Sequence, residues 1–169
     1  MTYGTSLKLA SNILGIMAIT AEDAIFVASN EGKICSVFMD TITIKVPSER
    51  TNGSYSICED ITPPGAGAPP HIHHREEEMF YVLEGEYDFR CGEREFKATR
   101  GALVILPREI PHAFKNTGNT PGKTLLILRP GGMEKVFGDI SLMPQGPPDL
   151  EKINAITKKY GVEFLPFKT

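Results

Sequence analysis

The stretch Gly65-Ala-Gly-Ala-Pro-Pro-His71-Ile-His73-His-Arg-Glu-Glu-Glu78 decides how this chain reads. In extended backbone successive side chains leave opposite faces, so His71 and His73, two residues apart, project from the same face. A carboxylate follows at Glu78. A second stretch, Gly101-Ala-Leu-Val-Ile-Leu-Pro107-Arg-Glu-Ile-Pro-His112, brings another histidine after an apolar strand. The chain has four histidines, and three of them belong to this pattern. Three neutral imidazoles and one carboxylate suit a divalent first-row metal.

Outward from these stretches the pattern is that of β structure. Thr41-Ile-Thr-Ile-Lys-Val46 alternates with period two, and Ser54–Cys58 follows the turn at Asn52-Gly53. Glu78–Leu83 and Glu86–Cys91 read as strands flanking Gly85, followed by Arg94–Lys97, Ala102–Leu106, Pro111–Asn116 and the wholly apolar Leu125–Leu128. That makes about eight or nine short strands with frequent turns, the signature of an all-β sandwich or barrel. Glycine (16) and proline (13) are plentiful enough to supply those turns.

Two helical pieces come last. Gly132–Gly138 reads as a short helical turn. Asp149, after two prolines, is placed to cap a helix whose stripe is Leu150, Ile153, Ile156 and Tyr160, with Gly161 ending it. The expected organisation is an N-terminal arm (1–30), a β-barrel (31–131) and a C-terminal helical extension (132–169) packed on the barrel.

At 169 residues the chain suits one domain with its own core, and 41% hydrophobic with 23% charged residues is globular composition. A net charge of -3 gives no electrostatic case for nucleic acid as the main partner. Residues 7–19 are mildly apolar but interrupted by Ser11, Asn12 and Gly15, and fall short of the ~20 apolar residues that span a bilayer. No membrane segment is expected, and Met17 is an alternative start. Cys35, Cys58 and Cys91 are widely spaced and odd in number, which suggests reduced, core-packed thiols and a cytoplasmic location.

The two motif stretches resemble the cupins. Gly65-x5-His71-x-His73-x4-Glu78-x6-Gly85 is similar to the first cupin motif without a mismatch. Gly101-x5-Pro107-x-Glu109-x2-His112-x3-Asn116 is similar to the second, except that the family has glycine where this chain has Glu109. The likeness covers roughly residues 50 to 130. Pro69-Pro-His71, Phe80–Gly85 and His112–Asn116 look like the single-domain, quercetin-dioxygenase-like branch. The resemblance implies a jelly-roll barrel with metal ligands at His71, His73, Glu78 and His112, the same four residues the strand reading selects. Octahedral coordination by four protein atoms would leave two positions open. The metal would be Mn, Fe, Co, Ni, Cu or Zn rather than Ca or Mg.

Around this set, His74 is expected to face the other side of the strand, and Glu76 and Glu77 to be solvated charges. A non-glycine residue at Glu109 costs roughly 1 kcal/mol if the turn needs positive φ; the expectation is a changed turn type. If Glu78 faces inward, Phe80 and Val82 follow it and Phe114 joins His112. These three either line an apolar substrate pocket or are plain core residues. Asn116 is either a turn residue at a strand end or a hydrogen-bond partner supporting a ligand.

Three functions compete. The first is a metal-dependent dioxygenase of a small aromatic or enolizable substrate, with Glu78 both ligand and general base, as the resemblance implies. The second keeps the metal but isomerises or hydrolyses a small polar metabolite; an additional polar base on an inward strand position would favour it, and the sequence offers no clear candidate. The third is a non-catalytic cupin that binds a small ligand for sensing or storage. Fold alone does not separate them. A homodimer is expected, because sandwich edges and the terminal segments offer surface for pairing.

Overall fold

The computed structural model describes residues 24–144 and 149–165. Its strands are β1 (Lys33–Val37), β2 (Asp40–Val46), β3 (Ser56–Thr62), β4 (His71–His73), β5 (Glu77–Glu84), β6 (Glu86–Cys91), β7 (Arg94–Thr99), β8 (Leu103–Leu106), β9 (His112–Asn116), β10 (Gly122–Arg129) and β11 (Val162–Phe164). Helices α1 (Lys135–Ser141) and α2 (Leu150–Lys159) lie between β10 and β11. The strands form a six-stranded sheet in the order β1-β2-β3-β10-β5-β8 and a five-stranded sheet in the order β11-β4-β9-β6-β7, with every pairing antiparallel. This is the jelly-roll barrel that the cupin resemblance implies, within the sandwich or barrel class to which the alternation points.

Alternation decides which side chains meet between the sheets. On β10, Gly122, Thr124, Leu126 and Leu128 point inward, and on β5 Glu78, Phe80 and Val82 do. Phe80, Phe89 and Phe114 pack with ring centroids 5.0–5.8 Å apart. Aromatic pairs at such spacings contribute about 0.5–1.5 kcal/mol each beyond the area they bury. Cys35 and Cys58 are fully buried in this core, Cys91 is half-buried, and all three are free thiols.

Several boundaries differ from the sequence reading. β3 runs on to Thr62, and β10 starts at Gly122 because threonine and lysine continue a ladder that burial alone does not reveal. β1 and β11 were not anticipated. Only Cys35 and Val37 face inward on β1, and β11 has three residues, too few to show a period. The segment after residue 131 is accordingly not only helical: β11 pairs with β4, placing Val162 opposite His73 and Phe164 opposite His71.

Asp149 caps α2 as expected, its carboxylate accepting from the Lys152 N–H at 3.1 Å. Of the expected stripe, Ile153 is buried and Ile156 and Tyr160 pack against the core, with Thr157 buried beside them; only Leu150 departs, at 69% exposed. Leu150 opens the helix and lies against an outer groove rather than the core. Of the expected N-terminal arm, residues 1–23 and the alternative start at Met17 lie outside the described residues. The part from residue 24 on is tied down by Lys45, whose ammonium donates to the carbonyls of Ala28 (2.7 Å), Ser29 (3.1 Å) and Glu31 (2.6 Å). No helix among the described residues is long and apolar enough to cross a membrane.

Candidate metal centre

The four expected ligands come together across the barrel. β4 and β9 lie side by side with His71 opposite His112, and His73 follows His71 on the same inward face. Glu78 enters from the other sheet, on β5. One donor atom from each of His71, His73, Glu78 and His112 lies within 4.8 Å of every other, and all four residues are buried. The close approach at the start of β4 depends on Gly67 (φ +146°), where an added Cβ would run into the Phe114 carbonyl.

The rings are oriented from behind. His71 Nδ1 lies 2.8 Å from the Pro69 carbonyl and His112 Nδ1 lies 2.8 Å from the Ile110 carbonyl. A carbonyl only accepts, so Nδ1–H donates in both rings, which leaves each Nε2 lone pair free to face the cluster. His112 Nε2 and Glu78 Oε2 approach to 3.4 Å, yet neither atom has a hydrogen-bond partner. Buried polar atoms without partners are uncommon and call for an explanation. A divalent cation bound by neutral imidazoles and a carboxylate supplies one, so these residues fit a metal.

The electrostatics agree. Burial pushes the Glu78 carboxyl up, but the imidazoles of His73, His112 and His71 outweigh it and hold the group down at about 2. Burial drives His71 down to about 3 and lowers His73 as well. For His112 burial also lowers, but the Glu78 carboxylate prevails and the ring is raised. The cluster thus keeps its carboxylate charged and two of its imidazoles neutral.

One supporting residue was misjudged from the sequence. Glu76 is not solvated: it is 4% exposed, with Oε2 3.9 Å from His73 Nδ1. Burial raises its carboxyl to about 7. At 3.9 Å the two atoms do not hydrogen-bond and both are buried without a partner, but the carboxyl lies on the side of the ring from which such a group orients a metal-binding histidine. In the sequence it was hidden inside an acidic run, and alternation misleads because the chain bends between β4 and β5. Glu77 is half-buried on the outer face, 3.9 Å from Arg108.

His74 stays out of the cluster, as expected. Its Nδ1 meets Glu109 at 2.9 Å and its Nε2 meets Glu163 at 3.1 Å, and the hydrogen bonds to these two carboxylates raise its pKa. The turn at Glu109 has not changed type. Glu109 holds φ +64°, the conformation glycine adopts most easily, and its N–H donates to the His73 carbonyl at 2.8 Å. That bond and the contact with His74 offset the roughly 1 kcal/mol conformational cost. Asn116 is a turn lock: its amide donates to the Thr62 and Thr120 carbonyls at 2.8 and 2.9 Å, and its Oδ1 accepts from the Gly118 N–H at 2.9 Å.

Beside the cluster lies a cavity of about 80 Å³. His71, His73 and Glu78 form one part of its wall, and Phe80 and Phe114 line it too. Val82 does not: it is fully buried two positions further along β5, opposite Thr124. Two carboxylic side chains that the sequence did not single out, Asp40 and Asp60, also line the cavity. Phe38, Asp40, Gly67, Pro69 and Phe164 are shared with an outer groove of about 630 Å³, which α2 flanks through Leu150 and Ile153.

The jelly roll and its three-histidine, one-carboxylate cluster agree with the arrangement that the cupin resemblance implies. Residues 60–128 match the family described as Cupin domain, and this match together with cupin-fold neighbours supports the cupin superfamily. An uncharacterized protein of Methanocaldococcus jannaschii is 33% identical over 75 residues, which cover 44% of this chain and 60% of that one. Germin-like protein 1-3 of Oryza sativa is 30% identical over 112 residues, covering 63% and 50% respectively. The chain therefore spans only 50–60% of the length of these relatives. Among solved structures, a predicted oxalate decarboxylase of Thermotoga maritima superposes with a TM-score of 0.57 at 23% identity, covering 62% of this chain and 98% of that one. KdgF from Halomonas sp. gives 0.59 at 15%, with 66% and 99% coverage. Likeness at these identities is likeness of fold.

Proposed function

We propose that the protein is a metal-dependent enzyme acting on a small, oxygen-bearing, enolizable molecule, with a divalent transition metal held by His71, His73, Glu78 and His112. The observation that carries this reading is a small cavity beside the buried four-residue cluster, walled in part by His71, His73 and Glu78, that shares lining residues with an outer groove. When bound, the metal would supply Lewis acidity and open positions for oxygen ligands. Glu78, which faces the cavity, is placed to accept an acidic proton from the substrate, while Phe80 and Phe114 exclude water from the reacting end.

Cavity size narrows the substrate. A cavity of ~150 Å³ is known to accept a benzene ring, and the space here is about 80 Å³. The inner cavity therefore suits a fragment of a few heavy atoms, and an intact flavonol exceeds it. Any aromatic portion would have to occupy the outer groove. Within these limits, oxygen-dependent cleavage of the enolate is the first reaction to test.

A second reading, isomerisation or hydrolysis of a small polar metabolite, is supported by a specific observation: Asp40 and Asp60 are inward polar groups that proton-transfer chemistry would use. The deciding experiment begins with metal analysis of the purified protein. It continues with small hydroxy and oxo acids, enediols and catechol-like compounds, assayed in air and under argon. Oxygen uptake coupled to product supports the dioxygenase; turnover unchanged under argon supports the second reading. Metal binding without turnover of any compound would turn the assignment toward a ligand-binding cupin.

A further inference from the structure

The cavity holds two acids that the metal cluster leaves unexplained. Asp60, on β3, is 2% exposed; its Oδ2 meets only the Thr62 hydroxyl at a long 3.4 Å, and its Oδ1 has no partner. Asp40, at the start of β2, also has a buried, unpartnered Oδ1. Register places Ile42 opposite Asp60, so Asp40, two residues before Ile42, emerges on the same face beside it. No basic side chain pairs with either acid among the described residues. The titratable groups turned toward Asp60 are Asp40, Glu78 and Tyr87, whose hydroxyl is buried without a partner, with Cys58 two residues earlier on the same strand.

Two carboxylates in one dry space cannot both stay ionised cheaply, and one proton shared between them relieves the repulsion. Burial raises Asp40 to about 6, and burial together with Asp40 raises Asp60 well above the ordinary carboxylate range. A neutral carboxyl is a hydrogen-bond donor as well as an acceptor. Replacing a buried, unpaired acid by a hydrocarbon of similar size usually costs a fold nothing, so retention of this acid calls for a role other than packing.

We infer that Asp60 is a ligand-positioning acid: its buried, unpartnered carboxyl donates a hydrogen bond to a carbonyl or carboxylate oxygen of the molecule whose other oxygen group faces His71, His73 and Glu78. The ligand class is then a compact compound of about two to four carbons with two oxygen functions, as the cavity volume requires. Asp40 lines both the inner cavity and the outer groove. The inference rests on the proposed function for its metal-side contact, while the burial and missing partner of Asp60 are features of the metal-free protein.

The test has two parts. In the metal-free Glu76→Gln protein at neutral pH, where the other raised carboxyl is gone, infrared spectroscopy should show a protonated carboxylic acid band that Asp60→Asn and Asp60→Leu both diminish. In the zinc-loaded protein, binding of pyruvate and hydroxyacetone is followed by calorimetry and ligand NMR. Asp60→Leu should weaken both by about tenfold, whereas Asp60→Asn, whose amide still donates, should bind within about threefold of wild type. Asp60→Leu should fold with a thermal midpoint equal to or above that of wild type. Absence of the band, or unchanged binding of both probes by a folded, zinc-loaded Asp60→Leu protein, overturns the inference. Failure of the wild type to take up zinc would instead count against the metal reading, leaving the infrared result to judge the acid pair alone.

Discussion

His112 Nε2 and Glu78 Oε2 lie 3.4 Å apart in a fully buried space, and neither forms a hydrogen bond. Strands from two different sheets deliver these atoms, so the barrel brings a donor pair together at the cost of two unsatisfied groups. An arrangement of this kind is stable when a third body, a metal cation, meets both atoms.

The wild-type protein is therefore expected to hold about one equivalent of a divalent transition metal per chain. His112→Ala should lower occupancy, and His71→Ala with His112→Ala should abolish it. Elemental analysis after dialysis checks this, and full retention by the double variant would falsify the ligand assignment.

Metal affinity should fall as pH drops below about 6, because three imidazoles must be neutral to ligate. The stability of the metal-free protein should fall over the same range. His71 is depressed to about 3 in the fold against 6.5 when free, so its contribution is complete above about 6.5 and is lost as pH falls toward 3. Titration of metal affinity and of denaturant midpoints between pH 5 and 7.5 tests both, and flat curves would contradict them.

Glu76→Gln should reduce metal affinity about 10–100-fold without unfolding the protein, since Glu76 stands behind His73 Nδ1 and does not belong to the cluster itself. Competition with a chelator measures the change. Unaltered affinity would reduce Glu76 to a packing role.

Glu78→Gln keeps the shape and one ligating oxygen but removes basicity. At matched metal occupancy, turnover of a substrate found in the assays above should fall roughly 10²–10⁴-fold if proton removal limits the rate. Wild-type turnover in the metal-loaded variant would exclude a general-base role.

We propose that the chain pairs with a second copy. β8 is an edge strand, and Leu103 and Ile105 on its outer face are 61% and 55% exposed, beside Tyr81 at 41%. Light scattering at micromolar concentration should give twice the chain mass, and Leu103→Lys with Ile105→Lys should halve it. A wild-type monomer would refute the proposal.

The ligand set was legible in the sequence because it depends on local rules: two residues of strand spacing put His71 and His73 on one face, and turn residues bracket each strand. The barrel was legible for the same reason. Local rules gave no access to residues whose meaning comes from a distant strand. Asp60 sits in a mixed run that reads equally well facing out, and only pairing of β3 with β10 and β2 turns it inward. Glu76 looked like one more surface acid until the bend between β4 and β5 buried it against His73.

Sequence alone determined which four side chains could take a metal and that period-two strands would carry them, because strand periodicity is a property of the backbone. Tertiary structure decided how far those side chains stand from one another, how small the space beside them is, and which carboxyl groups share it. It also decided that Glu109 keeps a glycine-like turn, through a hydrogen bond to His73 thirty-six residues away in the chain. Burial and electrostatics are set by what the opposing sheet brings close, and no local pattern encodes that.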